Sequence, residues 1–506
     1  MNSPRPAIFH STPILFGIFF LLICVIRYES LFLPPYWDSI VGLFAEATWL
    51  ADNDFNYLRL AYEIPGYGAG GPRVYFFSAY PTFQAILLKL IPESYLFLML
   101  NHLLTFCYAT IVLVAFYRLL CIRGNAWFAL AGTMLLMMHP MFLSQTDAIN
   151  MEMPVLAATL LGIVMTLQHR PISGALAVTL ALSLKPTAVI GVIVVFVYHA
   201  LTTNANQGQT KKAMILLGIA ILSVPVQWWL RGTFNQESND MLVVFFRGSL
   251  KQILFDMPDF FALYVIGGVF CCAMAVTILR NSNLLRIGLL IQSFSEYTRT
   301  PTGRINLIMI LFFVFFTGFY IHIVNILPRY LLYCLPVLLY FLTTGLLTVL
   351  KRPQIVITAF TVLFFLQLTN REGGLYIPDS GNNGFILERS LEYRDDMQLN
   401  RQLVQQLEEH YRNHTIVTSW PLAQMLTIPE LGYVDRPFHV LTSDRPCLYG
   451  PTEQVTDDIL NEPDVIWVYT PNAFSRKNTF YPEDDHLITT LSYGDRIAHI
   501  YERTTW

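Results

Sequence analysis

Long apolar runs alternate with short polar loops up to about residue 369, a pattern that predicts helices crossing a membrane. A bilayer core about 30 Å thick takes about 20 helical residues to cross. The apolar runs predict spans near 12–27, 96–120, 125–139, 148–167, 213–230, 260–279, 305–326, 329–350 and 354–369. A further apolar stretch, 172–201, is interrupted by Lys185-Pro186 and has basic residues at both ends. It predicts two short helices that enter the membrane and return, which brings the total to about eleven spans.

Two segments are predicted to lie outside the membrane. Residues 28–95 are too long for a simple connection, and their amphipathic and short apolar stretches predict helices at the membrane surface. Residues 370–506 turn polar, with a helical pattern at 395–411 followed by short runs of β-branched and aromatic residues that predict strands. We therefore expect a transmembrane module over 1–369 and a small α/β domain over 370–506.

Basic residues in alternate loops set the predicted orientation, because positive charge favours the cytoplasmic side. The residues that fall on that side are Arg118, Arg123, Arg170, Lys211, Lys212, Arg280, Arg286, Arg299, Arg304, Lys351 and Arg352. The N-terminus is then cytoplasmic and the C-terminal domain lies outside. Of the fourteen acidic residues before position 370, only Glu296 is predicted to be cytoplasmic. The acids on the outer side either solvate external loops or form an external polar site.

Composition agrees with a membrane protein. The chain is 54% hydrophobic and 13% charged, whereas soluble domains carry about 25% charged residues. Its net charge of −3 gives no indication of nucleic-acid binding. Only Cys447 of the seven cysteines lies in the polar C-terminal part, so that part has no internal disulfide. This favours a bacterial inner membrane over a eukaryotic secretory setting.

Asp38 follows the first predicted span directly, in Tyr36-Trp37-Asp38. An acid at the outer membrane boundary is partly desolvated, and it suits a general base or a cation ligand. The alternative is structural, because Asp38 precedes an apolar helical run and aspartate caps helices well.

Three further polar residues, His139, Asp147 and Glu152, connect the third and fourth predicted spans on the outer side. Glu152 lies near a helix start, where the helix dipole favours its charge. Together with Asp38, these oxygen-rich groups could bind a divalent cation such as Mg²⁺ or Mn²⁺. We predict the metal ligands Asp38, Asp147 and His139; the alternative is that Asp147 and Glu152 only cap and charge a helix.

Lys185 lies between apolar residues on both sides, where a lysine is costly unless it faces a polar cavity or has a partner. It suits a lipid phosphate. Arg329, at the outer end of a span beside Tyr330, could bind the same phosphate by its fork of donors, or extend to the interface. Tyr330 and Arg73 complete the predicted phosphate-binding set, and Arg73 is otherwise a simple loop residue.

These segments together resemble the GT-C glycosyltransferases, most of all the protein O-mannosyltransferase-like enzymes and the bacterial aminoarabinose transferases of lipid A. The resemblance covers roughly residues 12–350 and depends on the order of five motifs. The motifs are YWD in the first loop, YPTFQAILLKL after it, MEMP at the fourth span, SLKPTAV at the helix break and PRYLLYCLP near the eighth span. Two departures are Ser39 after Asp38, where the family often has glutamate, and Glu152, where it often has aspartate.

The resemblance implies a GT-C fold and an inverting transfer of sugar from a polyprenyl- or dolichyl-phosphate donor. It makes Asp38 the base that deprotonates the acceptor hydroxyl, Glu152 the second acid, and Lys185 and Arg329 the residues that hold the lipid phosphate. Asp147 is our third catalytic candidate. Some members need a metal and others do not, so the resemblance leaves metal dependence open.

We therefore expect an external-face glycosyltransferase acting on a glycan, lipid or protein acceptor, in contact with membrane lipids. A transporter or flippase of a lipid-linked glycan is the alternative, since it would also need cations for phosphate but no base. A non-catalytic scaffold would tolerate loss of Asp38, Glu152 and Lys185 together. The residues do not identify the sugar or the acceptor.

Overall fold

The computed structural model describes the transmembrane part and much of the C-terminal part of the chain. The described residues are 11–36, 39–57, 79–202, 208–234, 296–298, 300–320, 328–369, 393–418, 421–442, 453–454, 465–469, 486–494 and 496–502. All structural statements below refer to these residues.

Apolar helices build the first part of the chain. In chain order they are α1 Thr12–Ile26, α2 Ala45–Asp52, α3 Ala79–Leu90, α4 Ser94–Arg123, α5 Ala126–Met138, α6 Pro140–Asp147, α7 Glu152–Leu167, α8 Pro171–Leu184, α9 Val189–Thr202, α10 Gly208–Phe234, α11 Pro301–Tyr320, α12 Leu335–Val349 and α13 Pro353–Thr369. Three of these described helices, α4, α10 and α11, are each long and apolar enough to cross a membrane. The pair α5 and α6, bent by 62°, could form a fourth span.

Described helices occupy eight of the nine predicted spans, and the ninth, 260–279, lies outside the described residues. The count of eleven therefore stays a prediction. The predicted span 148–167 begins later, at Glu152, because residues 148–151 are a non-helical connection after α6. The span predicted from residue 329 also begins later, since Pro328–Tyr333 forms a 3-10 turn before α12.

The predicted break at Lys185 is present and has a local cause. Lys185 ends α8 in an extended conformation, with φ −155° and ψ 131°, and Pro186 begins a short 3-10 turn before α9. A residue before proline is disfavoured in the helical region, so the sequence itself ends α8 here. The lysine side chain thus projects from a helix end inside apolar surroundings.

Close packing of α7 against α8 positions the two ends that carry Glu152 and Lys185. A Cβ added to Gly162 would lie 2.9 Å from the carbonyl oxygen of Gly174, and a Cβ on Gly174 would meet the Gly162 carbonyl at 2.9 Å. Small residues at such a crossing let two backbones approach directly. The α7 start and the α8 end therefore lie side by side.

The C-terminal residues form an α/β module. Helix α14, Tyr393–His410, precedes a six-stranded sheet with the order β3-β2-β1-β4-β6-β5. The strands are β1 Thr415–Thr418, β2 Val440–Thr442, β3 Glu453–Gln454, β4 Val465–Tyr469, β5 His486–Tyr493 and β6 Arg496–Glu502. Neighbours β3, β2, β1 and β4 pair in parallel, and β6 and β5 add an antiparallel edge. A short helix, α15 Leu422–Thr427, follows β1.

This module shares a hydrophobic core with the first-loop helices α2 and α3. Polar contacts join the same surfaces. The Tyr36 hydroxyl donates to Asp396 at 2.9 Å, and the Tyr433 hydroxyl donates to the carbonyl of Pro35 at 3.0 Å. Within the module, Arg496 pairs with the same Asp396 at 3.4 Å. The C-terminal module therefore packs against the segment that contains the predicted first-loop site. The domain boundary at 370 lies outside the described residues and stays a prediction.

Candidate functional site

Three charged side chains meet in the apolar interior around the carboxylate of Glu152. Lys185 donates a hydrogen bond from Nζ to Glu152 Oε1, and Arg329 Nε lies 3.5 Å from the same oxygen. The side chains of Glu152 and Arg329 are only 4% and 5% exposed, and that of Lys185 is 16% exposed. Burying charge is costly without partners, so the three groups stabilise one another. We call this set the Glu152 cluster.

The local sequence orients Glu152. The Asn150 side chain accepts a hydrogen bond from the Glu152 backbone N–H at 3.1 Å, and it donates to Gln145 at 2.6 Å. Glu152 is the first residue of α7, where unsatisfied backbone N–H groups and the helix dipole favour negative charge. The sequence prediction of a helix-start acid is correct, and the structure adds two cations as its partners.

Tyr330 completes the cluster from the PRYLLY turn. Lys185 Nζ lies 4.6 Å from the centre of its ring, and the Arg329 guanidinium carbon lies 5.4 Å from it. An aromatic face attracts a cation and replaces part of its lost hydration. Lys185 and Tyr330, which are 145 positions apart in the sequence, thus lie in contact. Three of the four predicted phosphate-binding residues therefore lie together. Arg73, the fourth, lies outside the described residues.

The cluster holds two cations against one carboxylate. Its formal charge is therefore +1, and Lys185 keeps one side partly accessible. A buried positive excess of this kind is favourable for an anion with several oxygen acceptors, such as a phosphate ester. The arrangement can bind a phosphate and can stabilise additional negative charge that develops on it.

Asp147 has different partners from Glu152. Arg27, at the end of α1, donates from Nε to Asp147 Oδ1 at 2.6 Å and pairs through a second guanidinium nitrogen with the other carboxylate oxygen. The Ser30 hydroxyl donates to Asp147 Oδ1 at 2.6 Å. Both charged side chains are buried. The predicted catalytic acid is thus bound on both oxygens to the end of the first helix.

The predicted metal site involves Asp38, Asp147 and His139. Within the described ranges, no group of three or more histidine, cysteine, aspartate or glutamate side chains is placed to hold a metal ion. Asp147 pairs with Arg27 and Ser30, and His139 is a half-buried residue that separates α5 from α6. Asp38 lies outside the described residues. Metal binding and the base role of Asp38 stay predictions.

Sequence reasoning missed a second set of buried polar groups, between α2 and α3. Glu46, Tyr80 and Gln84 are 2%, 1% and 0% exposed. Oε1 of Glu46 and both amide atoms of Gln84 have no hydrogen-bond partner among the described residues. Tyr80 and Gln84 are four residues apart and share a face of α3. The signal available in the sequence was an acidic residue between Ala45 and Ala47, followed later by Tyr80 and Gln84 at helical spacing.

Burial changes the protonation of Glu46. Loss of water raises the pKa of its carboxyl to about 8, so this group is mostly neutral at pH 7. Burial also raises the pKa of Tyr80, and the charges of Tyr108 and Glu152 raise it further. Gln84 lies close enough to lower the pKa of Tyr80, without reaching hydrogen-bond geometry. The Tyr80 hydroxyl is therefore near enough to Glu152 for that charge to act on it.

Breaking the Arg27–Asp147 pair tests whether Asp147 is structural. Arg27→Met leaves a buried carboxylate without its cation, and we expect a loss of about 3–5 kcal/mol in unfolding free energy. Asp147→Leu added to Arg27→Met should recover much of this loss. Thermal unfolding in detergent measures both variants. Lys89→Met is the control, because its pair with Asp54 is exposed to solvent and adds little to stability. Equal effects of Arg27→Met and Lys89→Met would contradict the structural role.

The raised pKa of Glu46 predicts a pH-dependent stability. An unfolded glutamate titrates near pH 4.3, so the stabilising contribution of Glu46 is complete below about pH 4.3 and is lost as the pH rises to about 8. Glu46→Gln removes this titration. In thermal unfolding between about pH 5 and about pH 8, we expect the variant to become steadily more stable relative to wild type, by about 1.4 kcal/mol per pH unit at most. A difference that does not change with pH would contradict a neutral buried Glu46.

Comparisons with known proteins support the fold. The crystal structure of ArnT from Cupriavidus metallidurans bound to undecaprenyl phosphate matches 96% of this chain and 97% of that chain, with 13% identity and a TM-score of 0.51. The apo structure of the same protein covers 97% and 98% of the two chains with 12% identity, at a TM-score of 0.40. No protein-family model and no curated protein matches the chain. The first of these matches shows that this chain has the fold of ArnT.

Proposed function

We propose that this protein is a membrane glycosyltransferase that moves a sugar from a polyprenyl-phosphate donor to a hydroxyl of a glycan, lipid or protein acceptor. The Glu152 cluster is the observation that carries this proposal. It places two cations, one carboxylate and an aromatic face at a break between membrane helices. ArnT, which has the same fold, has been crystallised with undecaprenyl phosphate.

The charge balance of the cluster suits a departing phosphate. A donor phosphodiester carries one negative charge, and a second develops as its bond to the sugar breaks. Lys185 and Arg329 are already held in place by Glu152 and Tyr330, so little reorganisation is needed when that charge appears. Pre-positioned charges of this kind lower the barrier more than flexible ones. Arg329 contributes several donors at fixed angles.

The proposed reaction is a single displacement. The acceptor oxygen forms a bond to the anomeric carbon while the bond from that carbon to the phosphate oxygen breaks. The bonding electron pair leaves with the polyprenyl phosphate, and the hydroxyl proton passes to Asp38. Attack from the face opposite the leaving group inverts the anomeric configuration. Asp38 is the proposed base because the family resemblance gives it that role, and its chain neighbours Tyr36 and Ser39 are both buried.

The C-terminal module has a proposed role in acceptor binding. It shares a core with the first-loop helices and contacts Tyr36, two residues before Asp38. A module in this position can form one wall of an acceptor site. We place the site and module on the outer face of a bacterial inner membrane, with the N-terminus in the cytoplasm, on the basis of the loop charges. A metal site at Asp38, Asp147 and His139 remains a prediction from the sequence, and the proposed displacement does not depend on it.

Lys185 tests the phosphate site. Removing its charge in Lys185→Ala leaves Arg329 neutralised by Glu152, and we expect undecaprenyl phosphate to bind at least about tenfold more weakly, since charge-assisted hydrogen bonds are worth about 1.5–3 kcal/mol. Native mass spectrometry in nanodiscs can measure the affinity. Lys89→Ala is the matched control, because Lys89 is an exposed first-loop lysine paired with Asp54. Unchanged binding by Lys185→Ala would refute the phosphate site.

Asp38 separates a transferase from a flippase. In a deletion strain, mass spectrometry of lipids and glycans should show which sugar-modified product is lost. Wild type should restore that product and Asp38→Asn should not, although the purified variant still binds undecaprenyl phosphate. Asp54→Asn is the control, because Asp54 is an exposed first-loop acid whose left-handed backbone, with φ 51°, also suits asparagine. Full restoration by Asp38→Asn would favour the flippase.

A further inference from the structure

The buried groups between α2 and α3 are unusual because several of their polar atoms have no hydrogen-bond partner in the described part of the chain. Native proteins satisfy most buried polar atoms, and each exception needs an explanation. Glu46 and Gln84 lie in the same shared core, next to Ala45, Ala47 and Ala85, which are themselves buried. Leaving such groups unpaired costs the protein stability. A ligand that supplies the missing partners would account for this cost.

The protonation of these groups restricts the ligand. The neutral carboxyl of Glu46 can donate and accept, and the amide of Gln84 also does both. An apolar ligand would leave all these atoms unsatisfied, and an anion would find no cation on this face among Glu46, Tyr80 and Gln84. A cation would require Glu46 to ionise in a buried place. Neutral hydroxyl groups, which also donate and accept, fit best.

The location of these groups relates them to the phosphate site. Helix α3 packs against α8, whose last residue, Leu184, precedes Lys185. Leu184 and Met151, which adjoin the cluster residues Lys185 and Glu152, both pack against the core that contains Tyr80. The charge of Glu152 also reaches the Tyr80 hydroxyl. Lys185 and the α3 face are therefore close in the fold, so a group attached to a phosphate at Lys185 can extend towards α3.

We propose that Glu46 and Gln84 form a subsite for the hydroxyl groups of the donor's sugar, with Tyr80 between this subsite and the phosphate. The inference depends on the proposed function, because it identifies the sugar pocket of the same site. It further specifies an uncharged sugar. The polyprenyl phosphate alone does not reach this subsite, so changes here should alter sugar recognition and leave phosphate recognition unchanged.

The test compares two kinds of lipid on purified full-length protein in nanodiscs. The probes are undecaprenyl phosphate and a panel of undecaprenyl-phosphate-linked glucose, mannose, galactose and arabinose. We expect at least one panel member to bind wild type more tightly than undecaprenyl phosphate. Glu46→Leu and Gln84→Leu should each reduce that affinity about tenfold, equivalent to one hydrogen bond of about 1.4 kcal/mol. Binding of undecaprenyl phosphate should change less than about twofold.

A stability measurement separates this role from a merely structural one. Leucine replaces an unpartnered polar group by an apolar one of similar size, so both leucine variants should unfold at the wild-type temperature or higher. Loss of sugar affinity without loss of stability supports the subsite. Glu46→Gln keeps a donor and an acceptor, so it should retain panel binding within about threefold.

The possible failures are distinguishable. If wild type does not bind undecaprenyl phosphate, the proposed function fails and the subsite fails with it. If wild type binds undecaprenyl phosphate but no panel lipid more tightly, the phosphate site remains and the neutral-sugar subsite is wrong. If the leucine variants bind the panel lipids as wild type does, or lose stability together with all lipid binding, Glu46 and Gln84 have only a structural role.

Discussion

The carboxylate of Glu152 is the interaction on which the rest of the site depends. Lys185 and Arg329 come from distant parts of the chain and are buried among apolar helices, where neither cation is tolerable alone. Glu152 compensates both through one oxygen, and its own charge is favoured by the start of α7. The result is a site with one positive charge in excess. Without Glu152 the two cations would repel each other, and without them the carboxylate would be buried alone.

Backbone features hold these charges in register. Proline after Lys185 ends α8 at the depth of Glu152, and the Gly162–Gly174 contact lets α7 and α8 pack closely. The Arg27–Asp147 pair attaches the end of α1 to the end of α6 by a similar buried interaction. Asp147 and Glu152, which lie at neighbouring helix ends, thus differ in the charge balance of their surroundings. Asp147 has a matched partner and adds rigidity, whereas Glu152 has one cation more than it neutralises.

The face formed by α2 and α3 differs from the Glu152 cluster, in which buried charges are paired. Its polar groups are buried without described partners, so it reduces the stability of the empty protein. Functional sites commonly retain such unfavourable groups because a ligand satisfies them. The C-terminal module shares the hydrophobic core that contains Tyr80 and contacts Pro35 and Tyr36.

The sequence by itself determined most of the described helices, the break at Lys185, the strands β1, β4 and β6 of the C-terminal part and the resemblance to the GT-C fold, whereas β2, β3 and β5 were not predicted. These features depend on local rules: apolar run length, the constraint before proline and alternation in short β-branched runs. The sequence placed Lys185, Arg329 and Tyr330 in one predicted set because a charge in an apolar run needs a polar partner, and the structure brings the three side chains together. Only the tertiary structure decided that Asp147 pairs with Arg27 while Glu152 pairs with two cations. It also decided that Glu46 and Gln84 are buried with polar atoms that no described residue satisfies. Those outcomes depend on contacts between residues far apart in sequence, since a carboxylate's role is set by which cation the fold places beside it.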